Sequence, residues 1–233
     1  MDVSDSRSRR GEKTREAILT AAESVFAEHG FDGARIDTIA EVSGYNKTLI
    51  FRYFGDKLGL YAEVLKRVDS EINELQALLV PVLEDETVVS DAQRFRSLLE
   101  TGIGALFDYL LEHPSFRRML TWEMAEGWQT YAKITQLLKI DDINQFETLF
   151  QPIQSTRLLR SGFNPILQLT MIMQICQSYL VSLPLYQMML PYEDVSSAAA
   201  LARAREFIID FVVHGIMVDP SERRRNMERI GKL

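Results

Sequence analysis

The sequence predicts an all-α protein, an N-terminal three-helix head that contains a helix-turn-helix, followed by a larger helical domain. Three observations predict it. Apolar residues recur at three- and four-residue spacing through most of the chain. The stretch Ile36 to Lys57, IDTIAEVSGYNKTLIFRYFGDK, reads as two short helices around a glycine turn. Residues 161 to 192 hold no Asp, Glu, Lys or Arg, which suits a helix covered on two sides.

The head comes first. Residues 1 to 13 are polar, repeat Ser and Arg, and are predicted to be disordered in the free protein. They read either as an arm reaching the minor groove or phosphates, or as a solvated tail. A helix over Thr14 to His29 carries the stripe Ile18, Ala21, Ala22, Val25 and Phe26. Gly30 stops it, and Phe31 plugs a small core. In the next helix Ile36, Ile39 and Ala40 share a face. Gly44 ends that helix, since glycine reaches the left-handed conformation without steric cost. Asn46 is a good N-cap for the following helix. There Ile50 and Phe54, four apart, turn inward, while Lys47, Thr48, Phe51 and Tyr53 project elsewhere.

Two small helices joined by a glycine turn form the helix-turn-helix unit. The second is of a size that fits the major groove of B-DNA. Lys47 and Thr48 lie in its first turn, where base edges are met. Lys47 suits guanine O6/N7, and Thr48 suits a phosphate or a thymine methyl. Asp56 caps a further helix that begins at Lys57, and a helix N-terminus with a lysine is a phosphate site.

The connector from Lys57 to about Leu79 keeps Leu58, Tyr61, Ala62, Leu65, Val68, Ile72 and Leu75 on one face. Pro81 and Glu84-Asp85-Glu86 read as a loop. Ser90 with Gln93 predicts a capping box for a helix running to Glu112, with Phe95, Leu99, Ile103 and Phe107 inward. Pro114 opens a helix from Ser115 to about Trp128. Ile143, Phe146, Leu149 and Phe150 have helical spacing, and Pro152 breaks it. Asn164 and Pro165 open the charge-free helix. Its uncharged length suits a transmembrane span, but Gln168, Gln174, Gln177 and Pro184 favour a helix buried nearly all round. A last helix runs from about Asp194 to Met217, apolar at Leu201, Phe207, Ile208, Phe211 and Val212. Two such helices from each of two subunits would make a four-helix homodimer interface. Arg223-Arg224-Arg225 reads as a solvated tail or a second basic contact.

The net charge of −7 argues against a nucleic-acid partner until it is divided. Residues 1 to 67 hold 11 basic and 11 acidic side chains, and residues 68 to 233 hold 15 and 22. The acidity lies in the second part, and residues 6 to 15 carry a local +4. One cysteine, Cys176, excludes an internal disulfide and fits a cytoplasmic protein. No apolar leader is read at the N-terminus. Three scattered histidines offer no metal-ligand spacing, and no cofactor is expected. Lys47-Thr48 stands like the end of a phosphate-binding loop, but Glu41 and Asn46 occupy the places where that loop needs glycine. No nucleophile elbow, zinc-helix signature or dinucleotide fingerprint is read, so an enzyme is not expected.

Residues 14 to 66 resemble the DNA-binding head of the TetR family of bacterial transcription regulators. The match runs without a gap through Ala21-Ala22, Phe26, Gly30-Phe31, Ile39-Ala40, Gly44, Lys47, Ile50, Tyr53-Phe54 and Lys57. The resemblance implies a DNA-binding domain over 1–67 and a ligand-binding and dimerisation domain over 68–233. It implies a ligand-responsive regulator of transcription, a repressor that a small molecule releases from a palindromic duplex DNA operator. The expected DNA contacts are Arg35, Asn46, Lys47, Thr48, Leu49, Phe51, Tyr53 and Lys57. Phe51 stands where the family pattern has a tyrosine whose hydroxyl meets a phosphate. Leu49 stands where threonine is common, and Arg35 where a threonine often caps the helix. For the effector pocket, aromatic and methionine content suggests Phe107, Trp122, Trp128, Met171, Met173 and Tyr179, and hence an apolar or aromatic effector. Plain core packing accounts for the same residues. The alternative reading is a helical small-molecule-binding or protein-interaction dimer that has lost DNA binding.

Overall fold

A computed structural model describes residues 3–67, 85, 91–138, 158–160 and 164–218. The regular elements among them are helices: α1 (Val3–Gly33), α2 (Ile36–Ser43), α3 (Lys47–Phe54), α4 (57–67), α5 (Ala92–Glu112), α6 (Pro114–Ala125), α7 (Gln129–Leu138), α8 (Pro165–Val181), α9 (Leu183–Met189) and α10 (Ala198–Ile216). One antiparallel bridge joins Leu159 to Met217. The helices fall into two compact units, α1–α4 with α6 and α7, and α5 with α8–α10.

The first unit is built around α1. Ile18, Leu19, Ala22, Val25 and Phe26 bury against Ile39 of α2, Ile50 and Phe54 of α3, Leu60, Tyr61 and Val64 of α4, and Met119 of α6. Each large apolar side chain removed from water here contributes ~1.5–3 kcal/mol. The Tyr61 ring meets Phe26 edge-on at 4.8 Å and Phe31 at 5.2 Å. Asp56 caps α4 as expected, its Oδ1 accepting from the Gly59 N–H at 2.7 Å.

Two expectations for this unit are corrected. Residues 3–13 are helical, not disordered, and α1 continues through them. The Tyr53 hydroxyl donates to the Gly11 carbonyl at 3.3 Å and ties that stretch to α3. The helix expected over Ser115 to Trp128 starts at Pro114 and stops at Ala125. Gly127 and Trp128 turn left-handed there, and the Trp128 N–H donates to the Glu123 carbonyl at 2.8 Å. The chain then re-enters a helix as α7.

In the second unit the oxygen that caps α5 belongs to Asp91, which accepts from the Gln93 and Arg94 N–H groups at 2.9 Å each. Ser90, the expected cap, lies outside the described residues. Phe95, Ile103, Phe107 and Leu110 of α5 are buried, and α8 and α10 pack on this helix. Arg205 of α10 forks onto Asp108 with two bonds of 2.8 Å. Its guanidinium lies so close over Gly104 that any side chain there would collide with it.

Asn164 caps α8 as expected, accepting from the Ile166 and Leu167 N–H groups. In the single chain this helix is covered on one side, and the cover expected for its other side is a second copy. Ile172, Cys176 and Leu180 face inward, while Leu167, Leu169, Met171 and Val181 are exposed. No single described helix is long and apolar enough to cross a membrane, and α8 and α9 meet the length only as a pair bent by 52°. The last helix begins at Ala198, not Asp194, because residues 194–197 form a turn whose Ser197 hydroxyl accepts from the Ala200 N–H. Leu75, Leu79, Pro81, Glu84, Glu86, Ile143, Phe146, Leu149, Phe150, Pro152, Arg157 and Arg223 to Arg225 lie outside the described residues.

Candidate nucleic-acid interface

The α2–α3 corner is made by local chemistry. Gly44 sits at φ 73°, and its N–H donates to the Glu41 carbonyl. Asn46 Oδ1 accepts from the Leu49 N–H at 2.9 Å, starting α3. Ile39, Ile50 and Phe54 are buried beneath the corner, which fixes the outward face of α3. That face carries Asn46, Lys47, Thr48, Phe51 and Arg52, all exposed. Phe51 is 43% exposed, and no ring pair or cation–π contact among the described residues involves it. Four side chains in the stripe, Asn46, Lys47, Thr48 and Arg52, carry donors that suit phosphate and base acceptors, and Phe51 suits an apolar edge.

The remaining expected contacts are held differently. Leu49 is half-buried. Arg35 is exposed and precedes α2 with no side-chain cap bond, so the threonine cap of the family pattern is absent here. Tyr53 is half-buried, with its hydroxyl on Gly11. Lys57 Nζ donates to the Asp32 carbonyl at 3.2 Å and sits 4.7 Å from the centre of the Phe31 ring. Burial lowers the Lys57 pKa, against the raising effect of Asp32 and Glu126. These two side chains are therefore already engaged within the head. One relation escaped the sequence reading: Lys47 pairs with Asp37, on the first turn of α2. The two residues are ten apart in sequence and carry no local signal of their contact.

The comparisons agree with this geometry. Residues 18–64 match the family described as bacterial regulatory proteins, tetR family. Residues 96–212, half of the chain, match the tetracyclin repressor-like C-terminal domain. The chain belongs to the TetR family. This TetR-family chain is 38% identical over 115 residues to the HTH-type transcriptional repressor SCO4008 of Streptomyces coelicolor, covering 49% of this chain and 52% of that one. It is 33% identical over 117 residues to the HTH-type transcriptional repressor NicS of Pseudomonas putida, covering 50% and 51%. The chain thus spans about half the length of these curated relatives. A crystal structure of the putative transcriptional regulator SCO4942 from Streptomyces coelicolor superposes with a TM-score of 0.58 at 25% identity, covering 87% of this chain and 98% of that one. The relatives are regulators of transcription, not enzymes.

The six residues expected around an effector are shared between the two units. Trp122 and Trp128 belong to the first unit, and Phe107, Met171, Met173 and Tyr179 to the second. Trp122 donates through Nε1 to the Ala27 carbonyl at 3.3 Å. Trp128 packs edge-on against Tyr131 at 5.9 Å. In the second unit, Phe107 and Tyr179 lie 6.3 Å apart, ring centre to ring centre. An open cavity of about 760 Å³ is lined by Met171, Tyr179, Tyr186, Arg203 and Phe207, among others. Burial raises the Tyr179 pKa, Tyr186 adds to the rise, and Arg203 opposes it.

Proposed function

We propose that this TetR-family protein is a homodimeric, ligand-responsive transcription regulator of the cytoplasm. It represses by holding a palindromic duplex operator and is released by a small molecule. The observation that carries the reading is the outward stripe of α3, Lys47, Thr48, Phe51 and Arg52, over a corner whose Ile39, Ile50 and Phe54 are buried. Two such heads would read successive major grooves. In this reading residues 1–67 bind DNA and residues 68–233 bind the effector and the second copy.

The exposed side chains Leu167 and Met171 of α8 and Phe207 and Phe211 of α10 support pairing with a second copy. Tyr179 and Tyr186, which line the open cavity with Met171 and Phe207, support an apolar or aromatic effector. Effector binding would shift the population between two head spacings, with a coupling of ~1–3 kcal/mol.

The test is selection of duplexes from random sequence by the full chain, followed by binding titrations at rising salt. A selected palindrome, with affinity that falls steeply as salt rises, is the expected result. Failure to enrich any sequence would sink the reading and favour an interaction module that does not bind DNA.

A further inference from the structure

The Asp37–Lys47 pair joins the first turn of α2 to the first turn of α3, on the exposed side of the corner. Both side chains are about half exposed or more, 69% for Asp37 and 49% for Lys47. An ion pair this wet contributes little to stability, so fold maintenance is a poor account of it. A carboxylate on a face that meets polyphosphate also weakens non-specific attraction. Asp37 therefore costs affinity for any duplex and adds little to the fold, which leaves base reading as the gain.

We infer that Asp37 and Lys47 act as one unit that reads a G·C base pair in the major groove. The lysine ammonium donates to guanine N7 and O6, and the aspartate accepts from the cytosine N4 amino group. The inference rests on the DNA-binding reading above and adds Asp37 as a specificity residue.

The spacing fits. Guanine O6 and cytosine N4 are hydrogen-bonded to each other, so an acceptor and a donor lie ~2.9 Å apart on the groove floor. A lysine–carboxylate ion pair presents a donor and an acceptor at the same separation, in the complementary order. Lysine has three N–H donors. One satisfies Asp37, and two remain for the adjacent acceptors N7 and O6. A G·C pair, which offers acceptor, acceptor, donor, is thus met at all three groups. An A·T pair offers acceptor, donor, acceptor and then a methyl group. In the same register the pair meets N7 alone, because the second lysine donor faces the adenine amino group and the carboxylate faces the thymine O4 acceptor. Asp37 also holds the flexible lysine stem in place before DNA arrives, which lowers the entropy lost on binding.

The experiment uses full-length wild type, Asp37→Asn and Lys47→Ala, each selecting from random duplexes. Wild type should enrich one symmetric G·C position in each half-site. Asp37→Asn should keep the rest of the site but lose about tenfold in preference at that position, within the usual worth of a bidentate base contact. Replacing that guanine by 7-deazaguanine, which lacks N7, should weaken wild type and leave Lys47→Ala unaffected. The inference is overturned if Asp37→Asn keeps the G·C preference, or if 7-deazaguanine costs Lys47→Ala as much as wild type. If wild type enriches no sequence at all, the DNA-binding reading falls with it. A palindrome that both variants read as wild type does removes only the inference.

Discussion

The Tyr61 hydroxyl donates to Glu123 Oε1 at 2.8 Å and joins α4, which follows the recognition helix, to α6. Glu123 is 2% exposed, and its second oxygen accepts from the Tyr131 N–H at 3.1 Å. A buried carboxylate is tolerable only when its oxygens are bonded, and here both are. Burial first, and then the negative Glu123, raise the Tyr61 pKa far above its usual 10. The folded protein thus keeps a phenolic proton that the unfolded chain loses above that pH. Stability from this group is full below pH 10 and is lost as the pH climbs further.

Glu123→Ala should therefore destabilise the protein by about 1–3 kcal/mol, since it leaves the Tyr61 donor buried without its acceptor. Tyr61→Phe should cost about the worth of one hydrogen bond to a charged group, ~1.5–3 kcal/mol, and should flatten the loss of stability at alkaline pH. Urea unfolding from pH 7 to 11 measures both. If Tyr61→Phe unfolds at the wild-type midpoint, the bond has no net worth.

Gly30 breaks α1 at φ 70° and ψ 178°, a backbone region that only glycine enters freely. A Cβ there would stand 3.0 Å from Trp122 Cδ2. Gly30→Ala should cost about 1–3 kcal/mol from the backbone alone, with more from the crowded indole. Adding Trp122→Ala should recover the steric part and leave the backbone part. A Gly30→Ala protein with an unchanged thermal midpoint would show that the kink is relaxed elsewhere.

The helix-turn-helix was legible in the sequence because its signals are local. Gly44 and Asn46 end and start helices by their own chemistry, whatever surrounds them. Long-range partners left no such trace. The helical start of α1 meets Tyr53, whose hydroxyl reaches a carbonyl 42 positions away, and composition alone reads that stretch as disordered. Periodicity marks Trp122 as helical but says nothing of which unit its helix joins. That helix, α6, packs on α1 and so belongs to the first unit. In α10 the apolar stripe is wider than one buried face, so spacing alone could not separate Ile208 and Val212, which are inside, from Phe207 and Phe211, which are outside.

Phe51 projects from the exposed face of α3, which is proposed to meet DNA, and has no hydroxyl. Phe51→Tyr should add one phosphate hydrogen bond and tighten operator binding about fivefold, the equivalent of ~1 kcal/mol. The gain should be uniform across sequences, since a phosphate contact carries no base information. Anisotropy titrations on the selected operator and on a scrambled duplex measure it. A gain confined to the operator would move Phe51 from the backbone to the bases, and no gain would turn its ring away from phosphate.

Phe207 and Phe211 stack with ring centres 6.3 Å apart and planes within 14°, at 71% and 61% exposure. Two stacked phenyl rings this open to water suit cover by a second copy. Ile208, one position away, is only 5% exposed and packs inside its own chain. A charge at the two sites should therefore have different consequences. Phe211→Glu should give a monomer that keeps its helix content, because the charge meets water once the copies part. Ile208→Glu should lower the unfolding midpoint sharply, because an unpaired carboxylate is forced into the core. Light scattering and circular dichroism on the two variants separate these outcomes. A Phe211→Glu protein that remains dimeric would remove this face of α10 from the interface.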